Sequence, residues 1–219
     1  MTENKKNDVT ELVFILDRSG SMQGLEADTV GGFNGMLAKQ KESGDPCFVS
    51  TVLFDDVTEV LHDRLPLETV QPITTKEYYV RGCTALLDAL GGAIRHVENI
   101  HRYARPEDVP AHTLFVVITD GLENASKRYT AEEVRRTVRA KQAENGWEFI
   151  FIGANIDAVE TAKTIGVRPE RAVNYHADAK GTHTVFGGVS KAVSCLRRNA
   201  PMAAQEWRAE MDEDFANRK

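Results

Sequence analysis

The segment Glu11–Ser21 reads ELVFILDRSGS, and it places a strand-length apolar run directly before a group of oxygen-bearing side chains. The run LVFIL has no polar interruption, which is typical of a strand buried on both faces of a sheet. It ends at Asp17, and Ser19 and Ser21 complete the pattern D-x-S-x-S. Alternate residues of an extended chain point to the same side. The three side chains can therefore present oxygens to one point.

Three more segments share the apolar, strand-like character of this run: Cys47–Phe54 (CFVSTVLF), Thr113–Asp120 (TLFVVITD) and Trp147–Gly153 (WEFIFIG). Between them, Thr84–Arg102 and Ala131–Ala143 show the periodicity of helices that bury one face. Strands that alternate with helices predict an α/β fold, with a mainly parallel sheet and helices on both faces.

One strand departs from this alternation. Val57–Leu65 follows the second strand after only two residues, a connection short enough for a hairpin. We therefore expect an antiparallel strand at the edge of the sheet. Three elements complete the predicted domain: a short helix at Asp157–Ile165, a last strand at Ala172–Tyr175 and a helix from about Thr182.

The predicted domain spans residues 10–200, and residues 201–219 are predicted to form a C-terminal helical extension after Pro201. Trp207, Met211 and Phe215 are spaced by four, so they form one apolar stripe on a helix. We expect this stripe to pack back onto the domain.

Composition bounds the class of protein. The 219 residues are 42% apolar and 27% charged, which is ordinary for a soluble globular protein. The net charge of −6 disfavours nucleic-acid binding, which usually needs a basic face. The three cysteines, Cys47, Cys83 and Cys195, form no CxxC pair and predict neither disulfides nor structural zinc. The polar start at Met1–Glu11 and the lack of a membrane-length apolar run predict a cytoplasmic protein.

Two further oxygen-bearing residues lie where strands end or helices begin. Thr84 stands in Gly-Cys-Thr-Ala at a predicted helix start, and Asp120 ends an apolar strand. Ligands of open parallel sheets gather outside the carboxyl ends of the strands. Hard cations such as Mg²⁺ prefer oxygen ligands. The sequence therefore predicts a divalent-metal site formed by Asp17, Ser19, Ser21, Thr84 and Asp120.

The order D-x-S-x-S, then Thr, then Asp resembles the metal-ion-dependent adhesion site of von Willebrand factor A (VWA) domains, the family that includes integrin inserted domains. The resemblance spans roughly residues 10–200, and all five positions match. It implies a three-layer α/β/α, Rossmann-like fold and a site for Mg²⁺, with Mn²⁺ or Ca²⁺ as other candidates. It also implies direct metal contacts from Ser19, Ser21 and Thr84, with Asp17 and Asp120 acting directly or through water.

In this family, an acidic side chain of a protein partner commonly completes the metal coordination. Stand-alone microbial relatives often serve as assembly or regulatory adaptors. The resemblance thus implies a metal-dependent protein-interaction domain that is not an enzyme. Arg18 and Arg81 flank the predicted site and could attract an anionic partner. Glu123, Asn124 and Asn155 are candidates for its rim.

Other interpretations remain open at this stage. Ser21 or Thr84 alone could cap a helix, and Asp120-Gly121 alone could be an ordinary turn. Asp17 could instead be the nucleophile of a Mg²⁺-dependent phosphohydrolase. Ser19 disfavours that reading, because such enzymes usually place a second aspartate there as general acid. A third possibility is a VWA protein that binds nucleic acid or a ribonucleoprotein.

Overall fold

The computed structural model describes residues 8–218, and within them six strands form one sheet. Most of the polar segment Met1–Glu11, together with Lys219, lies outside the described residues. The strands are β1 (Thr10–Asp17), β2 (Cys47–Phe54), β3 (Thr58–Pro66), β4 (His112–Thr119), β5 (Glu148–Ala154) and β6 (Ala172–Tyr175). The α-helices are α1 (Glu26–Lys41), α2 (Leu86–Tyr103), α3 (Ala131–Asn145), α4 (Ala158–Thr164), α5 (Ala179–Arg197), α6 (Ala204–Trp207) and α7 (Ala209–Asn217).

The strand order is β3-β2-β1-β4-β5-β6, and every neighbouring pair is parallel except β2 and β3. This confirms the predicted mainly parallel α/β sheet with one antiparallel edge strand. The chain leaves β1 for β2 on one side and later returns to β4 on the other. The strand order therefore reverses between β1 and β4, and the carboxyl ends of these two strands flank the crevice where such sheets bind ligands.

Two helical layers cover the sheet, because the side chains of each buried strand alternate between its faces. Phe14 of β1 packs edge-on against Phe33 of α1, with ring centroids 5.2 Å apart, in the core shared with α5. Its neighbour Ile15 lies in the opposite core, with Leu90 and Ile94 of α2. The predicted three-layer α/β/α arrangement is confirmed.

The start of α3 follows from its sequence. The Thr130 hydroxyl accepts a hydrogen bond from the Glu133 N–H, and the Glu133 carboxylate accepts one from the Thr130 N–H. This reciprocal cap satisfies two N–H groups that a helix start leaves free. It explains why the helix begins at Ala131, as predicted.

The C-terminal residues form two short helices rather than the single one that the stripe predicted. Trp207 ends α6 and Met211 lies in α7, and both side chains are buried in the core that includes α5. Phe215 is 40% exposed and stacks on His176 at 4.8 Å. The predicted packing onto the domain is thus confirmed, while the boundary at residue 200 stays a prediction. Among residues 8–218, none of the helices has the length and hydropathy needed to cross a bilayer.

Candidate metal site

The first feature of the site is a chain of hydrogen-bonded oxygens between β1 and β4. The Ser21 hydroxyl donates to Asp120 Oδ1 at 2.5 Å, and the hydroxyl oxygens of Ser19 and Ser21 lie 3.1 Å apart. Asp120 directly follows β4, while the two serines follow β1. The strand-order reversal therefore joins two segments that are a hundred residues apart in sequence.

Thr84 reaches the same place through Gly121. A Cβ atom added to Gly121 would lie 3.1 Å from the Ser21 hydroxyl oxygen and 3.1 Å from the Thr84 hydroxyl oxygen. Both hydroxyls therefore border the small space that the missing side chain leaves open. Ser21 is exposed, whereas Ser19, Thr84 and Asp120 are buried. The group consequently opens to solvent at Ser21.

Asp17 lies beneath these residues and holds the loop in place. Its Oδ1 accepts a hydrogen bond of 2.7 Å from the Ser19 N–H, and its Oδ2 accepts one of 2.5 Å from the Thr119 hydroxyl. The Tyr78 hydroxyl also donates to the Asp17 carbonyl oxygen. All five predicted site residues are thus brought together, but Thr119 and Tyr78 were missed.

Burial dominates the electrostatics of the two acids. It raises the pKa of Asp17 to about 6; hydrogen bonds from Thr119 and Ser19 limit the rise, and the nearby Asp120 charge adds to it. Burial also raises the pKa of Asp120, with the Ser21 hydrogen bond opposing it. Asp120 Oδ2 is buried, and none of residues 8–218 provides it with a hydrogen-bond partner. A buried acceptor without a partner is costly, and a bound cation would satisfy it.

The donor set is all oxygen. Within residues 8–218, no three His, Cys, Asp or Glu side chains gather into a metal-binding group. Any cation here would therefore depend on hydroxyls as well as on the two carboxylates. That mixture suits a hard cation such as Mg²⁺, which is usually held by one or two carboxylates and keeps several waters.

Backbone hydrogen bonds tie the loop after β1 to the loop that carries Thr84. The Gly20 N–H donates to the Gly82 carbonyl at 3.1 Å, and the Arg81 N–H donates to the Arg18 carbonyl at 2.9 Å. Gly82 has φ +67°, and a Cβ there would lie 1.8 Å from Asp56 Oδ1. Only glycine tolerates both the left-handed backbone and this close approach.

Glu123 and Asn124 turn out to fix Thr84 and the start of α2. Asn124 Oδ1 accepts a hydrogen bond of 2.9 Å from the Thr84 N–H, and the Asn124 N–H donates to the Thr84 carbonyl at 3.0 Å. Glu123 Oε2 accepts one of 2.9 Å from the Leu87 N–H. One signal in the sequence could have indicated that these two residues fix the start of α2. They directly follow Asp120-Gly121, and a helix start offers N–H groups that need acceptors.

The expectation that Arg18 attracts an anionic partner is wrong, because its side chain is fully buried. Its Nε donates to Asp55 Oδ2 at 2.9 Å, and a terminal nitrogen pairs with Glu59 at 2.7 Å. The half-exposed Arg81 binds the same Asp55 oxygen at 2.8 Å. Burial alone would raise the pKa of Asp55, but hydrogen bonds from Arg81, the Val57 N–H and Arg18 outweigh it and lower the pKa. These ion pairs hold the loop after β1 against the turn between β2 and β3.

A sequence model of the family described as "VWA domain containing CoxE-like protein" matches residues 1–143, more than half of the chain. The chain belongs to this family. Its fold agrees with that membership. No match was found among curated proteins.

Solved structures similar to this CoxE-like VWA chain share its fold at low identity. One is a von Willebrand factor type A protein from Catenulispora acidiphila, with a TM-score of 0.57 and 16% identity over 84% of this chain and 42% of that one. Another is the ArnB paralog VWA2 from Sulfolobus acidocaldarius, with a TM-score of 0.53 and 18% identity over 84% and 44%. The proximal thread matrix protein 1 of the mussel byssus has a TM-score of 0.56 and 16% identity over 85% and 46%. This chain thus spans less than half the length of these relatives.

Proposed function

We propose that this VWA domain binds Mg²⁺ through Asp17, Ser19, Ser21, Thr84 and Asp120, and that an acidic side chain of a protein partner completes the coordination. VWA domains are generally metal-dependent interaction domains. The observation that carries the proposal is the convergence of three hydroxyls and two acids, together with a buried Asp120 oxygen that has no hydrogen-bond partner among residues 8–218. Mn²⁺ and Ca²⁺ are the other metals that this set of oxygens accepts.

The charges of the site favour an acidic partner. Two carboxylates balance a dication, and the three hydroxyls add no further negative charge. The Asp17 oxygens already accept hydrogen bonds from Ser19 and Thr119, so they offer less charge to the metal. A cation held in this way is a good acceptor for one more carboxylate. The exposed Ser21 lies on the side from which a partner can approach.

An exposed apolar side chain lies next to this opening. Leu122 follows Gly121 and is 63% exposed. The next two residues, Glu123 and Asn124, fix the loop through hydrogen bonds to the start of α2 and to Thr84. The fully buried core of a protein interface is more apolar than the rest of the protein surface. We therefore propose a protein partner that places an apolar residue beside its acidic one.

The surroundings of Asp17 favour binding over phosphohydrolysis. The Asp17 side chain is 1% exposed and both of its oxygens are hydrogen-bonded, so it is poorly placed for nucleophilic attack. Ser19 occupies the position where a general acid is expected. A non-enzymatic role is accordingly part of the proposal. A cytoplasmic location is a separate part of it. Nucleic-acid binding is the less favoured alternative, because the net charge is −6.

Titration calorimetry with Mg²⁺ and Mn²⁺ tests the metal site. The parent protein is expected to bind one cation, and Asp120→Ala is expected to lose measurable binding. Asp63→Ala is the matched control, because Asp63 is an exposed aspartate on β3 that pairs with His96 away from the site. Equal binding by all three proteins, or no binding by the parent, would contradict the proposal.

Water-proton relaxation of the Mn²⁺ complex tests the open coordination position. Sodium acetate should lower the relaxation enhancement in a saturable way, because a carboxylate replaces a metal-bound water. Acetamide, a neutral molecule of similar shape, should not. If acetate has no effect although Mn²⁺ binds, the acidic-partner part of the proposal fails. Phosphate-ester turnover with Mg²⁺ that Asp17→Asn abolishes would instead support the enzyme alternative.

A further inference from the structure

A groove of about 390 Å³ lies between β3 and α2, on the face of the sheet covered by α2. Its floor includes Val52 and Val60, which pair directly across β2 and β3, and Val13 of β1. Val60 is 54% exposed, so the edge strand presents apolar surface at this point. Helix α2 therefore leaves this part of the edge strand uncovered.

Small residues on α2 keep the groove open. Gly92 and Ala93 line it, and a Cβ atom added at Gly92 would meet no atom within 4 Å. Tyr129 forms another part of the lining, and its ring packs against Gly91. The His96 ring on α2 and Asp63 on β3 join the two walls through a hydrogen bond of 2.8 Å. The groove thus has an apolar floor, and a hydrogen bond joins its two walls.

Two cationic side chains belong to the same lining. Arg95 of α2 and Arg128, which precedes α3, are both exposed. Within residues 8–218, neither guanidinium has an ion-pair or hydrogen-bond partner. By contrast, the exposed Arg105 and the partly buried Arg208 each pair with a nearby aspartate. Guanidinium groups bind carboxylate, sulfonate and phosphate groups in a bidentate manner.

We propose that this groove binds a small amphipathic anion, with its apolar body on Val52 and Val60 and its anionic group bound by Arg95 and Arg128. The volume lies toward the lower end of the range of small-molecule pockets, which favours a small ligand over a protein segment. The groove lies on the face of the sheet that α2 covers, whereas the candidate metal site lies at the carboxyl ends of β1 and β4. It is therefore independent of the proposed metal-dependent function.

Decanoate is the probe for the test, because it combines an apolar chain with one carboxylate. Titration of protein carrying ¹³C-labelled valine methyl groups is followed by NMR. Decanoate should shift the methyl signals of Val52 and Val60 in a saturable manner. Decyltrimethylammonium, with the same chain and the opposite charge, should bind at least about tenfold more weakly. The absence of saturable shifts at about 1 mM decanoate would overturn the proposal.

Two leucine variants locate the site. Gly92→Leu fills the groove, and it also raises helix propensity, so loss of binding would not reflect unfolding. It should abolish the decanoate shifts. Gly35→Leu is the matched control, because Gly35 lies on α1 on the opposite face and its Cβ also meets open space. Binding that survives Gly92→Leu, or that Gly35→Leu abolishes, contradicts the assigned location.

A charge variant tests the anionic group. Arg95→Gln combined with Arg128→Gln should weaken decanoate binding about tenfold, while thermal unfolding stays near that of the parent. Arg105→Gln removes an exposed arginine elsewhere and should leave the affinity unchanged. An unchanged affinity in the double variant would mean that the two arginines do not bind the anion, and the proposal would fail.

Discussion

The Thr119 hydroxyl donates a 2.5 Å hydrogen bond to Asp17 Oδ2, across the point where the strand order reverses. Thr119 ends β4 and Asp17 ends β1, and the last register pair of these strands joins Leu16 to Ile118. The hydrogen bond therefore forms one step beyond the regular ladder. It fixes the orientation of a buried carboxylate whose other oxygen holds the Ser19 N–H.

Replacing Thr119 with valine should weaken metal binding while the fold persists. Valine keeps the shape of threonine but cannot donate to Asp17. Groups that orient a metal ligand typically contribute 10- to 100-fold in affinity, so we expect a loss of about tenfold. Calorimetry with Mn²⁺ measures it. Thr113→Val is the control, because Thr113 lies near the start of β4, at the opposite end of the strand from Thr119. This variant should bind Mn²⁺ like the parent.

Gly121→Ala should impair the site by filling its centre. The added methyl group would lie 3.1 Å from the hydroxyl oxygens of both Ser21 and Thr84, so these side chains must separate. We expect at least about a tenfold loss in Mn²⁺ affinity. Gly92→Ala, where the new methyl group meets open space, should leave binding unchanged. Full binding by Gly121→Ala would mean that the hydroxyls of Ser21 and Thr84 do not share a metal.

The pKa of Asp17 predicts how stability without metal depends on pH. Its folded-state value of about 6 lies above the ordinary 3.8, so the folded protein holds the extra proton between these values. Stability from this group is therefore greatest at low pH, falls as the pH rises through that window and stays lower above it. The expected loss between pH 4.5 and 7.5 is about 2 kcal/mol.

Urea unfolding in EDTA at these two pH values checks this loss. Asp17→Asn lacks the titrating group. The difference between the free energies of unfolding of parent and variant should therefore change by about 2 kcal/mol between the two pH values. The free energy of unfolding of Asp17→Asn, relative to that of the parent, should be higher at pH 7.5 than at pH 4.5. Mg²⁺ should stabilise the parent more at pH 7.5 than at pH 4.5, because the metal competes with the proton. A difference that does not change with pH would contradict the raised pKa.

Arg18→Met should destabilise the protein without any direct effect on metal ligands. The variant leaves buried Asp55 with Arg81 alone and removes the partner of Glu59. Breaking a buried ion pair typically costs about 3 kcal/mol. Arg105→Met removes an arginine whose side chain is 72% exposed and should cost less than about 1 kcal/mol. Chemical denaturation of both variants provides the comparison.

Much of the fold was predictable, because local patterns specify it. Uninterrupted apolar runs identified the buried strands, and the two-residue link before β3 indicated an antiparallel edge. Helix α1 gave a weaker signal. Its buried positions include Thr29 and Gln40, and it contains three glycines, so its apolar stripe is faint. The break between α6 and α7 was also missed, since a spacing of four is equally compatible with one continuous helix.

The five site residues were predictable, but the residues that hold them were not. The ligand pattern lies in short segments of sequence, whereas its supports come from distant segments. Thr119 could have been found by assuming that β1 and β4 are neighbours, with Asp17 level with the residue before Asp120. The ion cluster of Arg18, Asp55 and Glu59 required knowing that the β2–β3 turn packs against the loop after β1.

Two backbone hydrogen bonds, from the Gly20 N–H to the Gly82 carbonyl and from the Arg81 N–H to the Arg18 carbonyl, join the loops on either side of the site. We therefore expect the loop that carries Ser21 to move away only together with the segment that precedes Thr84. The hydroxyl groups that the two loops contribute to the candidate metal site should then be kept or lost in one cooperative event. The amide exchange rates of Gly20 and Arg81 consequently report, even without a metal, the fraction of molecules in which the site is assembled.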